Sequence, residues 1–462
     1  MRRSMHSTAG AALAAVLISS LAGSGLAQGQ AAPAKPALAR LQAYVEAFNS
    51  GAPGRMRKFF EDNLADPALA AIPLGQRVAR FRGAKGQLGS LAIQRILSDE
   101  PAQASVLARA GNGKYVLLKV EVEKDEPHKL LALMLDLVED PENIVVPDPK
   151  PDEGAFAAAV RSWLEEETRA DRFSGVVLVA RDARVILNDA YGFADRDKKV
   201  PNGRDTRFNL GSINKNFTRA AIHQLARRNL LALDDPIKKF LPDYPNAQAA
   251  EKVTIRHLLN MTSGIGDFFG DRYDATPKEK ILTLRDYLPL FADKPLEFEP
   301  GTSNKYSNGG YIVLGLIIEK ASGVDYYAYV RQNIFKPCGM ADTDSYPRDA
   351  STTDLARGYT REGEAAGSPL ALNSTSLPGR GSSAGGGYST APDLLKYVLA
   401  LKDGKIFLPD AANGLGISGG APGINSTLEW DARSGYIIIV LTNFDPPTAG
   451  RAARRIVGWL PR

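Results

Sequence analysis

A chain of 462 residues exceeds what one hydrophobic core organises, so two folded domains are expected. With 44% hydrophobic and 24% charged residues it has the balance of a soluble globular protein, and a net charge of only +5, spread along the chain, gives no reason to invoke nucleic acid. A single cysteine excludes an internal disulfide.

Arg2 and Arg3 precede a short apolar run from Ala11 to Leu21, and the small-residue site Gly25-Leu26-Ala27 follows. That pattern predicts a secretory signal peptide over residues 1–27 and a periplasmic or secreted protein. The run is too short and too rich in Ser and Gly to stay in a bilayer, so no integral membrane span is expected after cleavage. Cleavage removes two arginines and no acidic residue, which takes the net charge from +5 to +3.

Residues 28–36 form an Ala/Gln/Pro-rich leader. Leu38, Leu41, Val45 and Phe48 then recur at helical spacing, and a second helical stretch carries Met56, Phe59, Phe60 and Leu64. Strand-like runs follow over 91–97, 105–110, 115–123 and 130–138, with a hairpin turn at Gly111-Asn112-Gly113. Residues 28–140 are therefore expected to form a small α+β domain with a curling antiparallel sheet. Pro141, Pro147, Pro149 and Pro151 make residues 141–154 a semi-rigid linker.

The second domain, 155–462, opens with a helix over 155–167 and a hairpin over 175–180 and 184–188. A helix-rich middle leads to strands over 426–430 and 435–442 and a closing helix over 451–460. Strands at both ends imply a sheet assembled from distant parts of the chain. The fold class is α/β (α+β), an antiparallel sheet flanked by helices.

Within that domain Ser212-Ile213-Asn214-Lys215 opens a helix whose apolar face is Phe217, Ala220, Ala221 and Leu225. Residues three apart share a helical face, so Ser212 and Lys215 converge. Ser212 also sits at the positive end of the helix, where unpaired N–H groups favour developing negative charge. A serine hydroxyl needs a base, and a lysine serves only when burial or nearby cations lower its pKa. Alone, a serine at a helix start is a cap and a lysine is a surface charge.

The stretch Phe208-Asn209-Leu210-Gly211-Ser212-Ile213-Asn214-Lys215 resembles the first motif of the superfamily of class C β-lactamases, penicillin-binding proteins and family VIII esterases. The similarity continues through Leu233-Asp234-Asp235-Pro236-Ile237, Thr254–Gly264, Phe298-Glu299-Pro300-Gly301 and Tyr306–Tyr311, and covers roughly residues 155–462. It implies a β-lactamase/transpeptidase-like domain that forms an acyl-enzyme at Ser212 and needs no cofactor or metal. The partner is a small or peptide-like acyl substrate. Tyr306 would assist proton transfer, Asn308 would orient Lys215 and the substrate amide, and the oxyanion would be held by the main-chain N–H groups of Ser212 and Gly420.

The third motif of that superfamily places a cation on a strand, then any residue, then Gly; here the matching residues are Ile417, Ser418 and Gly419, expected to border the substrate. A hydrogen bond to a charged group is worth about 1.5–3 kcal/mol. Its loss at Ile417 weakens recognition of carboxylate-bearing substrates by roughly tenfold to a hundredfold and favours neutral esters or amides over β-lactams.

Several rival readings are weaker. Tyr244-Pro245-Asn246 also fits Tyr-x-Asn but follows the serine too closely and reads as a turn. Two Gly-x-Ser-x-Gly matches, at 381–385 and 416–420, read as Gly/Ser loops, because no histidine follows His257 to complete a Ser-His-Asp set. The run from Gly379 to Gly387 lacks the Gly-Lys-Ser/Thr of a phosphate loop and is expected only to border the site. His128, His223 and His257 show no zinc spacing, and Cys338 lies between apolar neighbours as a structural thiol. A non-catalytic sensing or scaffolding module of the penicillin-binding-protein kind is the alternative that Ile417 and the extra domain favour.

The first domain, opening with Tyr44-Val45-Glu46-Ala47-Phe48-Asn49-Ser50-Gly51, loosely resembles the nuclear-transport-factor-like cone fold. That likeness implies an auxiliary part, with a homodimer formed through it.

Overall fold

The computed structural model describes residues 35–138, 152–348, 354–361, 369–373 and 376–461. The expected signal peptide, most of the leader and residues 141–151 of the linker lie outside them. The remaining linker residues already belong to the next helix, which Asp152 caps by accepting from Ala155 N at 2.8 Å. The described chain falls into two compact units.

The first unit begins with α1 (Pro36–Asn49), α2 (Pro53–Asn63), α3 (Asp66–Ala71) and α4 (Leu74–Leu88). Strands β1 (Leu91–Asp99), β2 (Gln103–Ala110), β3 (Tyr115–Val122) and β4 (Leu130–Val138) follow and pair antiparallel in chain order. Leu41, Phe48, Met56, Leu64, Val106 and Leu118 are wholly buried between helices and sheet. The β1–β2 pairing shifts register between Ile93 and Arg95 and between Ile96 and Ser98, irregularities of the kind that bend a strand locally. The pattern of apolar residues does not signal α4, because only Val78, Phe81 and Leu88 of its residues are buried.

The second unit begins with α5 (Glu153–Arg169) and the hairpin β5 (Gly175–Arg181) and β6 (Arg184–Tyr191). Helices α6 (Lys215–Arg227) and α7 (Asn308–Ser322) come from the middle of the chain. The unit closes with β7 (Gly414–Ala421), β8 (Ile424–Asp431), β9 (Tyr436–Thr442) and α8 (Thr448–Trp459). The sheet order is β7-β8-β9-β5-β6, antiparallel throughout, so its first and last strands in sequence meet at β9–β5. These central strands read as continuous apolar runs because both their faces are covered. Val177, Val179, Ile438 and Val440 pack with Phe156 of α5 and Ile456 of α8, while Val176, Leu178, Ile437 and Ile439 join Phe217 of α6 and Ile317 of α7 on the other face. Each such side chain contributes about 1.5–3 kcal/mol on burial. The expected antiparallel sheet flanked by helices is present.

Candidate active site

Ser212 lies one turn before α6, in the 3-10 turn Gly211–Asn214 that runs directly into that helix. The turn is tight: Gly211 has φ +50° and its N–H donates to Asn209 Oδ1 at 2.9 Å. Phe208 and Asn209 pair with Ser389 and Tyr388, which anchors the approach to the turn. Phe217, on the apolar face of α6, packs edge-on against Phe335 and Tyr397 at 5.0 Å each and draws the first turn of the helix into the core.

Lys215 is thereby 5% exposed. Its Nζ donates to Ser212 Oγ at 3.1 Å, Asn308 Oδ1 at 2.7 Å and Ala384 O at 2.5 Å, which uses all three ammonium hydrogens. The rings of Tyr306 and Tyr311 lie 4.7 and 5.4 Å from it. Loss of water outweighs these contacts and pushes the amine down to about 7, while the Asp267 carboxylate acts in the opposite direction.

Tyr306 brings its hydroxyl 2.5 Å from Ser212 Oγ, although the residue as a whole is 51% exposed. Desolvation raises its pKa, with the Asp267 charge adding to the rise and the Ser212 hydrogen bond opposing it, so it stands as a neutral phenol. Ser307 caps α7, accepting from Gly310 N at 2.8 Å and donating to Gly266 O at 3.1 Å. That cap fixes Tyr306 and Asn308 on either side of it. Asn308 Nδ2 then donates to Asp267 Oδ2 at 2.7 Å. Asp267 was not singled out from the sequence; it stands three residues beyond the matched stretch that ends at Gly264.

The edge strand β7 closes the site. A Cβ on Gly419 would stand 2.0 Å from Leu210 O and 2.7 Å from Ser212 N, so only glycine lets the strand lie against the serine turn. A Cβ on Gly211 would likewise come within 2.9 Å of Gly420 N, which places Gly420 beside the turn that carries Ser212. One expectation needs correction. Residues 416–420 form a strand and not a loop. Strand alternation also separates Ser418 from Ile417: Ile417 packs partly on the core that holds Phe217, whereas the Ser418 hydroxyl lies 3.3 Å from Thr427 Oγ1 on the opposite face. The Ser418 side chain therefore does not share a face with Ile417.

The rival motifs fall elsewhere. Tyr244 is buried in the core and Asn246 caps a short helix by accepting from Ala249 N at 3.0 Å. In the 381–385 loop, Ser383 donates to Tyr311 O at 2.8 Å and Ala384 supplies the carbonyl that receives Lys215. His257 completes a capping box with Thr254, and burial pushes the Cys338 thiol up to about 12. Among the described residues, no helix is long and apolar enough to cross a membrane.

The family model described as Beta-lactamase matches residues 160–415. Esterase EstB of Burkholderia gladioli is 32% identical over 336 residues, covering 65% of this chain and 83% of that protein. Penicillin-binding protein 4* of Bacillus subtilis (strain 168) is 36% identical over 182 residues, 39% of this chain, and the match spans only 40% of that relative's length. A solved penicillin binding protein from Bacillus halodurans is 28% identical with a TM-score of 0.59, over 65% of this chain and all of that one.

Proposed function

Because the chain belongs to the Beta-lactamase family, we propose that it is a serine hydrolase that forms an acyl-enzyme at Ser212. The observation that carries this reading is the convergence of Lys215 Nζ and Tyr306 Oη on Ser212 Oγ, at 3.1 and 2.5 Å. Neutral Lys215 takes the proton of Ser212 as its oxygen bonds to the acyl carbon, either directly or by way of Tyr306. The leaving oxygen or nitrogen then receives a proton from Tyr306 or Lys215 as the acyl bond to it breaks. Water adds to the acyl-enzyme by the reverse proton path and releases the acid. The Ser212 N–H, at the start of a helical turn, and the Gly420 N–H beside it are the donors for the oxyanion.

The substrate class we favour is neutral esters and amides, because Ile417, an apolar residue packed partly on the core, stands at the motif position that the superfamily gives to a carboxylate-holding cation. EstB, named an esterase, agrees with that preference. Export of the mature chain from residue 28 belongs to the same reading, as does an auxiliary, dimer-forming role for the first unit. Loss of dimers on deleting residues 28–148 supports that role, and an unchanged mass opposes it. The hydrolase reading itself is tested with a short-chain nitrophenyl ester: Ser212→Ala should abolish turnover, and retained turnover refutes it.

A further inference from the structure

One carboxylate touches this network from outside. Asp267 Oδ2 accepts from Asn308 Nδ2 at 2.7 Å and from the Asn308 main-chain N–H at 3.3 Å, while its Oδ1 accepts from Phe269 N at 3.1 Å. An amide side chain presents an acceptor at one end and donors at the other, and only its partners fix which way it turns. Lys215 Nζ can donate to one end at 2.7 Å and the Asp267 carboxylate can only accept at the other, so a single orientation remains.

We propose that Asp267 is a positioning residue for acyl transfer: acting through Asn308, it holds Lys215 Nζ on Ser212 Oγ and supplies the anionic charge that faces the amine. The proposal rests on the roles given above to Ser212 and Lys215. Around the amine, α7 and the residue before its cap bring Tyr311 and Tyr306, both held as neutral phenols, and the 382–385 loop brings only a carbonyl. Arg219, one turn along α6, is ion-paired with Asp410. Glu297, which approaches Gly266, is paired with Lys305 at 2.8 Å. Asp267 is the charge that acts on Lys215, and it holds the amine's pKa up against burial. Removing it lets that pKa fall further, and a base that must be neutral then works at lower pH.

Two variants separate charge from orientation. Asp267→Asn keeps an acceptor oxygen and removes the charge, so the acid limb of kcat/KM should move down by about one pH unit. Asp267→Ala also frees the Asn308 amide, and the plateau of kcat/KM should fall by about tenfold to a hundredfold. A merely structural aspartate would reduce the yield of folded protein and leave the limb in place. NMR titration of ¹⁵N-labelled lysines in the full chain, with the Lys215 signal assigned by its loss in Lys215→Met, should show the same downward shift in Asp267→Asn. That arm decides the proposal even if no ester is turned over, an outcome that would count against the hydrolase reading alone. Wild-type limbs in both variants, together with an unmoved Lys215 titration, overturn it.

Discussion

The Ser212 and Tyr306 side-chain oxygens stand 2.5 Å apart although 94 positions separate the residues in sequence. Charge-assisted O–H···O bonds fall in this range, so the pair is set for proton sharing once either partner begins to ionise. Tyr306→Phe leaves Lys215 in contact with the serine but removes that path. We expect kcat/KM on a nitrophenyl ester to fall by about 10²–10⁴-fold with the fold unchanged by circular dichroism. A loss under threefold would show that Lys215 alone handles the proton.

The acid limb of kcat/KM should report Lys215. With its pKa lowered by burial to about 7, the amine is charged and inactive below that pH and neutral above it. Lys215→Arg should be inactive at every pH, because a guanidinium keeps its proton. Stability should follow the same group with a definite sign. The folded pKa lies below the unfolded value of 10.5, so the unfolded chain binds more protons between about 7 and 10, and stability rises with pH across that window. Lys215→Met should therefore gain most in Tm over wild type near pH 6, and the gap should narrow by pH 10. A gap that does not change with pH would contradict the assignment.

Gly419→Ala places a Cβ 2.0 Å from Leu210 O and must push β7 away from the serine turn. The expected cost is about 1–3 kcal/mol in stability and about a hundredfold in kcat/KM. Gly416→Ala on the same strand is the control, since a Cβ there meets nothing within 4 Å. Equal behaviour of the two variants would show that the close approach does not matter.

On the proposed reading, Ile417 governs the preference among acyl donors. Nitrocefin, which carries a carboxylate, should be a poor substrate of the wild-type protein. Ile417→Lys can keep the aliphatic stem on the core while its head extends beyond it, and should raise nitrocefin turnover by about tenfold to a hundredfold. Efficient wild-type hydrolysis would mean that another group holds the carboxylate.

What the sequence made legible follows the range of each interaction. Ser212 and Lys215 are one helical turn apart, and local geometry alone brings them together. Tyr306 and Asn308 were reached through motif order, because no local rule predicts a contact across 94 positions. Asp267 was missed for the same reason: its meaning lies in Asn308, 41 residues away. On β7 the period of a strand turns the Ser418 side chain toward Thr427 and away from Ile417, a separation that the motif match alone does not convey. The helix α4 escaped because a sparse apolar face, buried at Val78, Phe81 and Leu88, leaves too weak a periodicity to see.

The most direct test of the central claim is covalent. Incubating the full chain with a fluorophosphonate probe and mapping the adduct by mass spectrometry asks whether the Ser212 oxygen is a nucleophile at all. One adduct is expected, on Ser212, lost in Ser212→Ala and strongly slowed in Lys215→Met. An unmodified Ser212 in folded protein, at a probe concentration that labels a control serine hydrolase, would contradict it and favour the non-catalytic sensing or scaffolding module.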